Sequence, residues 1–250
     1  MCGRYAIGRS PEDLAAWFDA VDETGADVSG DDVGADFNVA PGKHVMAVVS
    51  RPNGAAARRR ELRVLRWGLV PSWAADPAGL GTRLVNARAE TVAEKPAFRA
   101  ALAARRCLVP ADGWYEWAGG VPHYVTPRDG SVLALAAVYE VWARDSSGGS
   151  VSAGPTSGNG VPARLVTCAI VTTAAVGELA AIHHRMPLVL SRVAWPDWLD
   201  PAADVRTLLA PPAPAVVAGL LVHPVGPAVG NVANNGPALT HPVDPPPTLF

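Results

Sequence analysis

Gly and Pro, 24 of each in 250 residues, cut this chain into short pieces. Runs with β character lie at 44–49, 62–69, 107–109, 121–126, 131–142 and 164–173, each bounded by turn-forming residues. Helical segments are expected near 96–106, 174–182, 193–199 and 204–210. A further helix follows Ser10-Pro11-Glu12-Asp13, where Ser10 caps, Pro11 fits the first turn, and Leu14, Trp17, Phe18 and Val21 recur at the spacing of one face. Pieces this short exclude a coiled coil or a long-helix bundle and predict an α+β fold. There is no internal repeat, no regular βαβ alternation and no GxxxxGK, so a parallel nucleotide-binding sheet and a phosphate loop are not expected.

Apolar residues make up 49% of the chain, ample for a core, and the length suits one large domain or two small ones. The net charge of −2 does not advertise nucleic-acid binding, so any such partner must be held by a local patch. Charge is segregated: residues 10–42 hold nine acids and no base, 51–66 six Arg against one Glu, and 81–106 six bases against two acids. The Arg run at 58–60 reads as the solvated face of a hairpin. Ser and Gly enrich 144–162, a flexible insertion between two strands by its composition, and the Pro-rich stretch from His241 to Phe250 reads as a loose tail. Cys2, Cys107 and Cys168 are too few and too scattered for a disulfide framework or a zinc site, which predicts a reducing compartment. With no signal-like start and no apolar run of about 18 residues, a soluble cytoplasmic protein is expected, with no membrane partner.

Cys2 follows the initiator Met. Excision of Met1 would leave Cys2 with a free α-amine, and hence a 1,2-aminothiol. Near neutral pH the uncharged fraction of that amine is about 400 times that of a lysine. A carbonyl electrophile condensing there would place the thiol one carbon away, close enough to shut a thiazolidine ring. Position 2 can equally be an accident of a frayed terminus.

In Gly113-Trp114-Tyr115-Glu116-Trp117 a carboxylate stands among three aromatics, where desolvation would raise its pKa and suit it to proton transfer. A Glu between core aromatics can also simply face solvent. His183-His184-Arg185 offers imidazoles beside a guanidinium. Adjacent strand positions point oppositely and no further ligand cluster is spaced for a metal, so no metal or cofactor is expected. Asn86 and Arg88, two apart, would share one side of an extended segment, Asn86 to orient an adduct and Arg88 to hold an anion, unless they mark a mere strand end. The Trp67–Trp73 segment is compatible with base stacking or with ordinary packing.

Together, MCGRY, Asn38-Val39-Ala40-Pro41-Gly42, WGLVPSW, VNARAET, ADGWYEW, IHHRMPLVL and the late HPV, VGNV and Asn234 resemble, in order, the SRAP family of SOS response-associated peptidases. The resemblance spans residues 2 to about 236 and implies one domain over 2–236 with a tail at 237–250. The implied fold is α+β, with twisted, mainly antiparallel sheets forming a barrel-like core, flanking helices and a positively charged channel. The implied function is covalent capture of abasic sites in single-stranded DNA by a monomer. The resemblance assigns the catalytic roles to Cys2, Asn86, Glu116 and His183, and DNA contacts to Arg4, Asn38, Pro41, Trp73, Arg88 and Arg185. His184 sits where some relatives have an acid, and Trp73-Ala74 where some have paired tryptophans. Lyase activity and self-removal of Met1 are further implications. Three rival readings remain: a thiol peptidase using Cys2 with His183 as base, an N-terminal-nucleophile amidotransferase, and a non-covalent single-strand binder.

Overall fold

The structure, a computed structural model, describes residues 2–26, 33–53, 57–77, 83–143 and 164–244. In chain order the first half holds β1 (Tyr5–Ile7), α1 (Pro11–Phe18), β2 (Val21–Asp22), β3 (Asp36–Val39), β4 (His44–Asn53), β5 (Ala57–Trp67), β6 (Asn86–Arg88), α2 (Arg99–Ala104), β7 (Arg106–Ala111) and β8 (Gly113–Ala118). The second holds β9 (Val121–Pro127), β10 (Leu133–Ala143), β11 (Arg164–Ala174), α3 (Leu179–Ile182), β12 (Arg185–Pro187), α4 (Trp195–Leu199), α5 (Pro214–Ala218) and β13 (Leu220–Pro224).

Strands β11, β10, β7, β4 and β5 pair in that order, and β5 returns to β11 to close a barrel. All its pairs are antiparallel except this seam, where Arg66 lies opposite Thr167 and Trp67 opposite Cys168. An antiparallel second sheet, β13-β9-β8-β1-β3, shares the core of the barrel. Tyr5, Trp114 and Val125 from that sheet belong to the same apolar cluster as Val48, Leu65, Leu108 and Ile170 from the ring. The expected α+β fold with a mainly antiparallel, barrel-like core is therefore what the chain adopts. β10 is apolar at nearly every position because it is buried on both faces, one filling the barrel and the other covered in part by α2.

Several expectations shift. Ser10 caps α1 as read, its Oγ accepting from Asp13 N at 3.2 Å, but the helix ends at Phe18 because Asp19 turns left-handed at φ 51°. Val21, expected on the same helical face, lies instead on β2 and is exposed. The 62–69 run is part of a longer strand that stops at Trp67, where Gly68 takes φ 127°. Residues 204–210 make only a 3-10 turn at Arg206–Leu209, followed at once by Pro211 and Pro212. Arg58 and Arg59 of the Arg run are exposed, as expected of a solvated face, and Arg60 is half-buried. Arg59 and Arg63 converge at 2.7 and 3.0 Å on the buried Glu61, and Arg60 donates to the Phe18 carbonyl at 2.9 Å.

Order extends past the boundary expected at residue 236. Pro237–Thr240 forms a 3-10 turn, Leu239 packs with Tyr115 and Tyr124, and Val225 pairs with Pro242. Leu239 brings an apolar anchor that the proline count concealed. The 144–162 insertion and the end of the tail lie outside the described residues. Among the described residues no helix is long and apolar enough to cross a membrane.

Candidate active site

β1 lies between β8 and β3, with Tyr5 opposite Trp114 and Tyr115 N donating to the Arg4 carbonyl at 2.9 Å. That pairing draws residues 2–4 along β8 toward Glu116. Cys2 is wholly buried within the main apolar cluster. Burial pushes its thiol well above the ordinary range, the negative charge of Glu116 adds to this, and the positive amino terminus opposes it. Such a thiol keeps its proton until a neighbour accepts it.

Glu116 is the neighbour suited to accept it. It is 6% exposed, and burial raises its carboxyl to about 7 against the opposing pull of the amino terminus. The desolvation expected from the flanking aromatics is therefore present. Trp114 faces the main core, while Tyr115 and Trp117 pack on the opposite side of the strand.

Asn86 reaches Cys2 from the barrel. β6 is held parallel to β11 in the register Asn86 to Ile170 and Arg88 to Thr172, which sends Asn86 and Arg88 to one side and buries Ala87 on the other. Asn86 Nδ2 donates to the Cys2 carbonyl at 2.8 Å. Its Oδ1 is buried with no partner among the described residues. An unmatched acceptor in such a place is costly, and a ligand N–H or O–H would satisfy it.

His183 caps the C-terminal end of α3. Its Nδ1 lies 2.9 Å from the Arg185 N–H and 3.0 Å from the Arg185 carbonyl. The tautomer decides which it takes: an Nδ1 without hydrogen accepts from the N–H, and an Nδ1–H donates to the carbonyl. The two histidine rings are 4.3 Å apart, contrary to the expectation that they diverge, because His183 leaves a helix rather than sitting in a regular strand. The exposed His184 is held below its usual range, first by desolvation and then by the positive charges of His183, the amino terminus, Arg185 and Arg88.

The remaining expected contacts divide in two. Trp73, 67% exposed, and Arg88 are open to solvent, and Pro41 is half-buried. Arg4 is partly buried, its Nη1 donating at 2.6 Å to both Asn38 Oδ1 and the Val229 carbonyl, with the guanidinium 5.9 Å from the centre of the Trp117 ring. Asn38 and Arg185 are not at the surface. Asn38 is wholly buried, and its Nδ2 contacts the carbonyls of Val229, Asn231 and Asn234. Arg185, 8% exposed, forms a bidentate pair with Glu90 at 2.6 and 3.0 Å and donates to the Thr172 carbonyl. Glu90 was not singled out from the sequence. The signal was its position two residues beyond Arg88, on the same side of the segment. Among the described residues no group of three or more His, Cys, Asp or Glu could hold a metal ion.

The site is thus a buried thiol at the start of a barrel-like fold, with the amide of Asn86 on the Cys2 carbonyl and the raised carboxyl of Glu116 acting on the same sulfur. The chain belongs to the family described as SOS response associated peptidase (SRAP), whose model matches residues 1–232. It is 34% identical over 206 residues to the abasic site processing protein YoaM of Bacillus subtilis, covering 80% of each chain. It is 31% identical over 245 residues to YoqW of the same organism, also named abasic site processing protein, covering 96% of this chain and 98% of that one. Among solved structures, a Bacteroides thetaiotaomicron protein superposes with a TM-score of 0.76 at 21% identity, covering 97% of this chain and all of that one.

Proposed function

We propose that this protein captures abasic sites in single-stranded DNA by forming a thiazolidine through Cys2 after Met1 is removed. The observation that carries the proposal is the meeting of Cys2, Asn86 and Glu116, from three separate parts of the chain, around one buried point. The names of the relatives support the substrate class.

The open-chain sugar of an abasic site carries an aldehyde. The neutral α-amine of Cys2 attacks its carbon to give a carbinolamine, and a proton delivered by Glu116 or His183 lets the hydroxyl leave as water. The Cys2 sulfur then attacks the resulting iminium carbon while its proton passes to the Glu116 carboxylate, which closes the ring. Overall, aldehyde and aminothiol give thiazolidine and one water. The free Oδ1 of Asn86 accepts a hydrogen bond from the adduct. Arg4, Arg88, Pro41 and Trp73 meet the strand, while Asn38 and Arg185 act from beneath it by fixing Arg4 and β12. If ring closure fails, the iminium permits β-elimination, which gives the lyase activity.

Intact mass spectrometry after incubation with an abasic oligonucleotide tests this. Loss of Met1 followed by one heat-stable adduct, absent in Cys2→Ala, is the expected result. Undiminished crosslinking in Cys2→Ala or in protein retaining Met1 rejects it. Sustained turnover of peptides lost in the same variant would point to the thiol hydrolase instead.

A further inference from the structure

The Arg run at the start of β5 is not used by the capture reaction. Arg59, Glu61 and Arg63 alternate along β5 and share one face of it, with Arg51 opposite Arg59 on β4. Glu61 is 4% exposed, and its single charge meets Arg59 at 2.7 Å, Arg63 at 3.0 Å and Arg51 at 4.0 Å. Glu23 shares Arg59 at 3.3 Å. Across the seam Arg66 lies opposite Thr167, so the parallel register sets Arg63 level with Arg164 at the start of β11. Glu23 and Glu61 thus stand against Arg51, Arg59, Arg63 and Arg164, a local excess of positive charge in a chain whose net charge is −2.

Arg51, Arg63 and Arg164 line a cleft together with Tyr139, Val49 and Val166, and no acidic residue lines it among the described residues. Burial raises the Tyr139 hydroxyl, and the positive charges of Arg51, Arg105 and Arg58 pull against it. Of these, Arg105 is balanced by Glu140 at 2.7 Å. The cleft encloses about 10 Å³, room for one water-sized group. A single oxyanion oxygen enters such a space and a whole small-molecule ligand does not, since that needs about 300 Å³ or more. The matching ligand keeps its bulk outside and offers oxyanions in a row, as a phosphodiester backbone does, and guanidinium forks suit its oxygens. The cleft lies at the far end of the barrel from the site. Eight residues separate Arg59 from Trp67 on β5, and eight separate Arg164 from Thr172, the partner of Arg88, on β11, about 26 Å at the usual rise of a strand.

We propose that this cleft holds the DNA backbone flanking the captured lesion, so that a strand whose abasic sugar meets Cys2 is gripped a second time about 26 Å away. The contact is to phosphate and reads no sequence. It rests on the DNA reading proposed above and adds affinity for the intact flanking strand, with no bond made or broken.

The test is the affinity for undamaged single strands about 40 nucleotides long, measured across about 50–200 mM salt, of the parent and of Arg51→Gln combined with Arg164→Gln. Arg59 and Arg63 are left in place because they hold Glu61. The double variant is expected to bind about ten-fold more weakly at the low-salt end, with a salt slope shallower by about 1.4, the share of two single-strand phosphate contacts. It should capture a hexanucleotide carrying an abasic site at the parental rate. If it melts far below the parent, Arg164→Gln alone, at an exposed position, decides, with about half the change in slope. Parental affinity and slope overturn the proposal, as does slowed capture of the hexanucleotide, which places the loss at the site itself. A difference that vanishes in inorganic phosphate at constant ionic strength assigns the cleft to a free anion and overturns it too. An adduct missing from the parent protein would sink the capture reaction and leave the affinity measurement standing, whereas competent capture with parental affinity in the variant sinks the second grip alone.

Discussion

Burying Glu116 with its carboxyl at about 7 has a cost that depends on pH. In the unfolded chain this group loses its proton near about 4.3, while in the folded protein it holds the proton up to about 7. Between those values the folded state binds more protons than the unfolded one, so stability falls as pH rises through the window and levels off above it. Glu116→Gln is expected to remove that slope. The variant should gain on the parent between pH 5 and pH 8 by an amount on the order of 2 kcal/mol, read by thermal unfolding at both values. The same change should slow adduct formation at pH 7 by about a hundred-fold. Cys2, Glu116 and His183 could be picked out from the sequence because each is a chemically active type in an unusual local setting. Asn38 and Arg185 were expected among the DNA contacts, and nothing local reveals that Asn38 also meets carbonyls about 190 residues away or that Arg185 meets Glu90.

At the scale of elements, two features hold the site in place. Gly113 begins β8 where a Cβ would lie 2.4 Å from the Val125 carbonyl oxygen and 2.6 Å from the Tyr124 hydroxyl. Gly113→Ala must therefore push β9 away from β8, and a loss of about 2–3 kcal/mol in denaturant unfolding is expected, with slower capture because Glu116 shares the strand. The segment from Pro227 to Thr240 is tied to β3 through Asn38, through Phe37 N donating to Asn235 Oδ1 at 2.8 Å, and through Arg4. Asn38→Ala leaves buried carbonyls unmatched and should cost about 2–4 kcal/mol in the same measurement. Hydrophobic runs foretold β4, β5, β7, β9, β10 and β11. The short β1, β3 and β13 carry too few residues for a period to register, and they exist because neighbouring strands complete their hydrogen bonds.

Across the whole molecule, barrel closure depends on the parallel seam between β5 and β11. Trp67 sits there fully buried, its Nε1 donating to the Val85 carbonyl at 2.9 Å and its ring 5.5 Å from that of Tyr5. It thus joins the seam to the segment leading into Asn86 and to the arm bearing Cys2. Trp67→Ala is expected to cost about 3–5 kcal/mol and to impair capture. Trp73, only six residues on, is mostly exposed. Trp73→Ala should leave the melting temperature within about 1 °C of the parent while weakening binding to the abasic strand in a direct affinity measurement.

By itself the sequence determined the class of fold, the family and the chemical candidates. Those depend on composition, on short-range periodicity and on motifs in linear order, all of which a chain carries whether folded or not. Only the tertiary structure decided that Cys2 is sealed from solvent, that Asn86 is left with a free acceptor and Glu116 with a neutral-range pKa, and that Asn38 and Arg185 are buried. Burial and hydrogen-bond partnership are properties of what surrounds a group, and here the surroundings come from strands far apart along the chain.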